Sequence, residues 1–182
     1  RETSELGEIP KGWEVKKIKD IFDVTIGRTP PRKEFQWFTD DHKTGVPWVS
    51  IADMKNTNVY QKNSSEFLTS EAVKKFNVPL VKKGTTILSF KLTVGRVAIA
   101  GMPLTTNEAI AHFDPRGNFE LSSFIYYFFR NYPFESMGST SSIGTAINST
   151  LLKDMKIILP PQELITIYDQ TIKSILDRAY VK

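Results

Sequence analysis

Cysteine is absent from this 182-residue chain, histidine occurs only as His42 and His112, and no stretch approaches the roughly 18 consecutive apolar residues that a membrane span requires. Without cysteine there is no disulfide framework, no thiol nucleophile and no Cys-based zinc site. Two isolated histidines offer little to any other metal. No charged-then-apolar leader opens the sequence. These absences predict a soluble protein with no membrane contact, whose default compartment is the cytoplasm. The first residue is Arg1 and not methionine, so the chain is expected to be a piece of something longer.

The usual catalytic constellations are missing too. There is no Gly-rich phosphate loop, no G-x-S-x-G elbow and no H-E-x-x-H pair. An Asn/Asp-Pro-Pro-aromatic tetrapeptide of the kind used by amino-methylating enzymes is not present, since Leu159-Pro-Pro-Gln162 lacks both the polar head and the aromatic. Asp154-Met-Lys156 is the nearest approach to a nuclease carboxylate-lysine set, and it has no upstream acid to share a cation. No catalytic residue, metal ligand or cofactor site is expected within the chain.

Charge is unevenly spread. The net charge is +4, yet residues 1–71 and 108–182 are each slightly acidic, and the basic excess lies entirely in residues 72–107 as Lys74, Lys75, Lys82, Lys83, Lys91 and Arg96 with no carboxylate. Such a cluster is a candidate polyanion footprint. The plain alternative is a solvated helix face at Lys74-Lys75 and a basic turn at Lys82-Lys83-Gly84.

Forty per cent of the residues are apolar, enough for one core, and they alternate between short strands and short helices. Trp13 to Ile18 reads as a strand entering a helical turn at Asp20-Ile21-Phe22. Adjacent prolines at Pro30-Pro31 break regular structure and predict a loop running to about Gly45. Val46 to Ile51 reads as a buried strand, and Thr69 to Phe76 as a short helix capped by Thr69 or Ser70. Strands are expected at Thr85 to Phe90, Val97 to Ala100 and Ala109 to Phe113. Phe119 to Tyr132 has the strongest amphipathic helical spacing. Gly138 to Ser149 reads as a polar loop, Leu151 to Met155 as a turn and Ile157 to Leu159 as a strand ended by Pro160-Pro161. The fold class that follows is α+β, with a mixed, mostly antiparallel twisted sheet.

Beyond the prolines the pattern changes. Ile165, Tyr168, Ile172, Ile175 and Ala179 recur at steps of three and four, a heptad seam in a coiled-coil-type helix. Two heptads do not hold a helix alone, so the seam must pack against a partner helix, an absent region or its own domain.

Several separated segments resemble one family: Gly7-Glu-Ile-Pro-Lys-Gly-Trp-Glu14, Gly27-Arg-Thr-Pro30, Gly45-Val-Pro-Trp-Val-Ser50 with Asp53-Met54, Gly95-Arg-Val-Ala-Ile99, Thr106-Asn107 and Leu159-Pro-Pro161. In order and approximate spacing they are similar to a target recognition domain of a type I restriction-modification DNA-specificity (S) subunit. The chain departs from the family at Glu108, where Gln is usual, and after Pro161, where a Glu-Gln pair is usual. The resemblance implies a non-catalytic domain, residues 1–160, that reads one half of a bipartite double-stranded DNA site, followed at 161–182 by the start of a spacer helix. The implied partners are a methyltransferase subunit, a restriction (motor nuclease) subunit and a second recognition domain or half-subunit met through the helix. S-adenosylmethionine, Mg and ATP would belong to those partner subunits.

Within that frame Trp13 and Trp48 are read as core, and base reading falls to the polar loops. The candidate DNA-binding residues are Arg28, Thr29, Arg32, Lys33 and Lys43 in the first loop, Lys91, Thr93 and Arg96 in the second, and Ser141, Ser142, Thr145 and Asn148 in the third. Among the arginines Arg28 and Arg32 are favoured, because adjacent prolines stiffen their loop. The candidate subunit interface is Ile165, Tyr168, Ile172, Ile175 and Ala179. A different class of function remains open at this point: a helix-mediated assembly module without DNA contact.

Overall fold

The computed structural model describes residues 1–137 and 147–180. In chain order the strands and helices are β1 (Glu2–Ser4), β2 (Gly7–Ile9), β3 (Glu14–Lys17), α1 (Ile18–Ile21), β4 (Asp23–Ile26), β5 (Phe38–Thr39), β6 (Val46–Val49), β7 (Tyr60–Gln61), β8 (Glu66–Leu68), α2 (Ser70–Lys75), β9 (Thr86–Ser89), β10 (Val97–Ala100), β11 (Thr105–Thr106), β12 (Ile110–Asp114), α3 (Glu120–Arg130), α4 (Ser149–Asp154), β13 (Lys156–Leu159) and α5 (Gln162–Tyr180).

Two sheets organise the chain. The larger has the order β4-β12-β9-β10-β7 and the smaller β11-β6-β8-β5, while β1-β2 and β13-β3 form separate two-stranded ribbons. Among the described residues, β10-β7 and β11-β6 are parallel and the other pairs of named strands are antiparallel. The architecture is the mostly antiparallel α+β type expected from short strands and tight turns, with a C-terminal helix.

The middle strands explain why their sequences read as continuous apolar runs and not as alternation. β9, β10 and nearly all of β12 are buried. One face of the sheet sits under α3, where Leu121, Ile125, Tyr126 and Phe129 join Leu88, Phe90 and Phe113 in one cluster. The other face packs Ile87, Ala98, Ala100 and Ile110 against Val49, Met54, Val81 and Leu104. A third cluster, built on Trp37, Trp48 and Leu68, joins the small sheet to α2. Trp48 is therefore core, as its sequence context suggested, whereas Trp13 is only half-buried.

Capping follows local chemistry. Thr69 Oγ1 accepts from the Ala72 amide at 3.1 Å and starts α2, satisfying a donor that the first helical turn leaves free. The loop after Pro31 is more ordered than the paired prolines implied, because Phe35–Trp37 forms a 3₁₀ turn and β5 pairs with β8. That turn buries Trp37 against Phe76, with ring centroids 5.3 Å apart.

His112, buried in β12, cross-braces both sheets. Its Nδ1 lies 2.8 Å from Thr25 Oγ1 of β4 and its Nε2 2.7 Å from Thr106 Oγ1 of β11. Thr106 donates its own proton to the Asn107 carbonyl, so Nε2–H donates to Thr106 and Nδ1 accepts from Thr25. Burial lowers the His112 pKa to about 3, and the ring stays neutral.

The seam on α5 divides. Ile165 is buried in the domain core, Tyr168 meets the rings of Phe124 and Tyr127 edge-on, and Ile172 lines a cavity of about 80 Å³ beneath α3. Ile175 and Ala179 are exposed. The expectation of one five-residue partner seam is corrected accordingly: the first three residues pack on their own domain. The physical reason is that apolar residues occupy more than one face of this helix. Leu164, Ile167 and Ile175 point outward, while Ile165, Ile172 and Leu176 point inward. Among the described residues no helix is long and apolar enough to cross a membrane.

Candidate nucleic-acid interface

Strand direction brings the polar loops together. Ile26 at the end of β4 pairs with Ala111 near the start of β12, Ser89 at the end of β9 pairs with Ile110, and Val97 at the start of β10 pairs with Leu88. The loops after β4, after β9 and before β12 therefore leave the same end of the large sheet. Ile147 is held at this end as well, since its amide donates to the Phe90 carbonyl at 3.0 Å.

Close backbone contact welds two of these loops. The Arg28 amide donates to the Thr106 carbonyl at 3.0 Å, and the Asn107 amide to the Val49 carbonyl at 3.2 Å. A Cβ on Gly27 would lie 2.1 Å from the Asn107 carbonyl oxygen and 2.2 Å from that of Thr106. Glycine is required here by contact, not by φ. Trp48 Nε1 donates to the Arg28 carbonyl at 3.1 Å, so a core ring fixes the root of the first loop.

The arginines are held in three different ways. Arg28 donates to the Phe76 carbonyl at the end of α2 at 3.1 Å. Arg32 makes two hydrogen bonds to Glu66, at 2.6 and 3.1 Å, and lies 4.7 Å from the Trp48 ring centroid and 5.2 Å from that of Phe38. The Glu66 bond holds its pKa above the usual arginine value, with Glu108 adding to the effect. Arg96 donates to the Ile51 carbonyl at 2.9 Å. Of the three arginines, Arg32 is the one held by a carboxylate among the described residues. Two-point binding with stacking orients a planar guanidinium and leaves its remaining N–H groups with a fixed aim.

Around these arginines, Thr29 donates to the Glu108 carboxylate. Lys33 and Thr93 are exposed, and the Lys91 ammonium lies 5.3 Å from the Phe90 ring. Asn148 is exposed, but its side-chain oxygen accepts from the Leu151 amide at 2.8 Å as the cap of α4. Ser141, Ser142 and Thr145 lie outside the described residues.

Two parts of the basic set are not brought to this end. Lys43 belongs to a turn closed by Asp41 at the far end of β6. Lys82 and Lys83 precede β9, at the opposite end of the sheet, where Lys82 pairs with Asp114 at 3.6 Å. The basic stretch 72–107 is thus not one surface. The chain reverses through β9, sending Lys82-Lys83 one way and Lys91 and Arg96 the other. Sequence reasoning passed over Glu66, which sets Arg32, and noted Glu108 as a departure from the family without seeing that it accepts from Thr29.

The model of the type I restriction modification DNA specificity domain matches residues 10–181 of this chain. The chain belongs to that family. It is 32% identical over 164 residues to the type I restriction enzyme MjaIX specificity subunit of Methanocaldococcus jannaschii, covering 88% of this chain and 37% of the relative. It is 26% identical over 174 residues to the HindI specificity subunit of Haemophilus influenzae, covering 93% of this chain and again 37% of the relative. The specificity-domain chain therefore spans well under half the length of these curated relatives. Among solved structures, the HsdS subunit from Thermoanaerobacter tengcongensis superposes with a TM-score of 0.69 at 18% identity, over 96% of this chain and 40% of that one. The S subunit from M. genitalium gives 0.59 at 15% identity, over 91% and 39%. At such identities these likenesses concern the fold of the specificity domain.

Proposed function

We propose that this specificity domain reads one half of a bipartite duplex DNA site and directs the methyltransferase and restriction subunits of a type I assembly to it. The observation that carries this reading is the convergence of the loops after β4, after β9 and before β12 on one end of the large sheet, with Arg28, Thr29, Arg32, Lys91, Thr93 and Arg96 among their residues. Guanidinium groups suit guanine edges, and lysines and hydroxyls suit phosphates. Arg32, set by Glu66 and two rings, is ordered before DNA arrives and loses little freedom on docking.

In this reading residues 1–160 form the recognition domain and 161–182 begin the spacer helix. The outward row Leu164, Ile167 and Ile175 would meet a helix of a second recognition domain or half-subunit. The domain itself is non-catalytic. S-adenosylmethionine, Mg and ATP would be held by partner subunits, and the assembly would work in the cytoplasm.

The test is retention of the full-length subunit, assembled with its methyltransferase, on duplex DNA at rising salt, together with mapping of methylated adenines. Binding should fall steeply between about 50 and 200 mM salt, and methylation should mark one bipartite site. Assembly without salt-dependent retention would favour a helix-mediated interaction module instead.

A further inference from the structure

At the tip of the loop joining β9 to β10, Lys91, Leu92 and Thr93 are all exposed, Leu92 to 81%. A lone surface leucine is ordinary. This one differs in its backbone and in its support. Its φ is +64°, a left-handed conformation that a leucine enters against the crowding of its own Cβ and that glycine or asparagine enters readily. The stem beneath it is fixed: the Ser89 amide donates to the Arg96 carbonyl at 2.9 Å, Gly95 to Ser89 at 3.0 Å and Phe90 to Ala109 at 2.9 Å. A large apolar side chain is thus held out from a stiff stem, at the end of the sheet where the polar loops meet.

We propose that Leu92 is a wedge that enters the base stack of bound duplex DNA, opening one step while Lys91 and Thr93 hold the flanking phosphates. The proposal rests on the DNA-reading role above. Apolar wedges open and kink a duplex because the cost of unstacking is offset by apolar burial and by the added phosphate contacts. Lys91 and Thr93 supply a cation and a hydroxyl on either side of the leucine, the groups that such phosphates require. Packing against a thymine methyl in the groove would bury less of the side chain and would not need it held clear of the stem.

The deciding variant is Leu92→Asn, which suits the left-handed backbone and removes the apolar group. It is compared with wild type in the full-length subunit assembled with its methyltransferase, on duplexes carrying the mapped half-site with 2-aminopurine at successive positions. Apart from the rise at the methylated adenine, which the methyltransferase itself extrudes, wild type should raise 2-aminopurine fluorescence at one further step. Leu92→Asn should lose that further rise and bind about tenfold more weakly, with a thermal midpoint equal to or above wild type. Leu6→Asn, in the turn between β1 and β2, should bind as wild type does.

Equal affinity and equal fluorescence for Leu92→Asn would overturn the wedge. So would a fluorescence signal that is flat away from the methylated adenine, combined with an affinity loss that uracil-for-thymine substitution reproduces, since that is a groove contact with a methyl group. If wild type itself shows no salt-dependent retention on duplex DNA, the DNA-reading role fails and the wedge with it; that result is distinct because the parent protein also fails.

Discussion

Asp169 of α5 accepts a 2.5 Å hydrogen bond from the Ser123 hydroxyl of α3 and lies 2.8 Å from the Lys173 ammonium one turn further on. A carboxylate only 3% exposed thus pins the C-terminal helix to the domain, and it raises the pKa of Lys173. Replacing Asp169 with Ala leaves the Ser123 hydroxyl without this acceptor in a buried joint, at a cost of about 1–3 kcal/mol. Urea denaturation should read that loss, and limited proteolysis should cut within α5 sooner than in wild type. An unchanged digestion pattern would mean that apolar packing alone holds the helix.

The two faces of α5 should respond differently to charge. Ile167→Lys with Ile175→Lys alters residues 58% and 56% exposed, so the domain should keep its melting temperature while helix-mediated association, read by light scattering, disappears. Ile165→Lys puts a charge into the main core cluster and should destabilise by more than about 3 kcal/mol. Persistence of the assembly in the outer double mutant would place the contact elsewhere.

Acid should act through His112. The folded domain keeps this ring neutral down to about pH 3, whereas the ordinary histidine value is 6.5, so the unfolded chain takes up a proton that the native state refuses. The resulting stability is full above about pH 6.5 and is lost as pH falls toward 3, at up to about 1.4 kcal/mol per unit. The His112→Gln variant should be less stable at pH 7 and should show a shallower decline between pH 6.5 and 4 in matched denaturation curves. Parallel curves would remove His112 from the account.

Gly27→Ala should couple fold and binding. Its added methyl would collide with two backbone carbonyls, which cannot move as a side-chain tip can. Loss of roughly 2 kcal/mol or more is expected, along with weakened DNA retention. A crystal structure of the variant with both loops unmoved would contradict this.

Base and phosphate contacts should separate by salt. Arg28→Ala should cost about 1–3 kcal/mol at the cognate site and much less at mismatched sites. Lys91→Ala should weaken all duplexes alike and lower the salt slope by roughly one. Titrations at several salt concentrations on cognate and mismatched duplexes distinguish the two.

The elements most legible in the sequence were those whose signals are local. The Thr69 cap, the run from Val97 to Ala100 and the spacing in α3 each depend on neighbours a few residues away. Two-residue strands such as β5, β7 and β11 have no period to read and exist because a distant edge accepts them. The site was legible as a set of loops but not as an arrangement. Nothing near Arg32 in the sequence points to Glu66, and nothing in Lys82 and Lys91 says that an intervening strand carries them to opposite ends. The α5 seam misled for a related reason, since spacing gives the faces of a helix without saying which face its own domain takes.

The pairing of β3 with β13 sets Glu14 opposite Leu159, and an added Cβ on Gly12 would lie 3.9 Å from Pro161. The chain therefore enters and leaves the folded unit through one doorway, with some 145 residues looped out between. The helix just past that doorway still leans on the unit through Ile165 and Asp169, so a unit of different loop chemistry would fit the same doorway only if it kept the surface that α3 offers to α5.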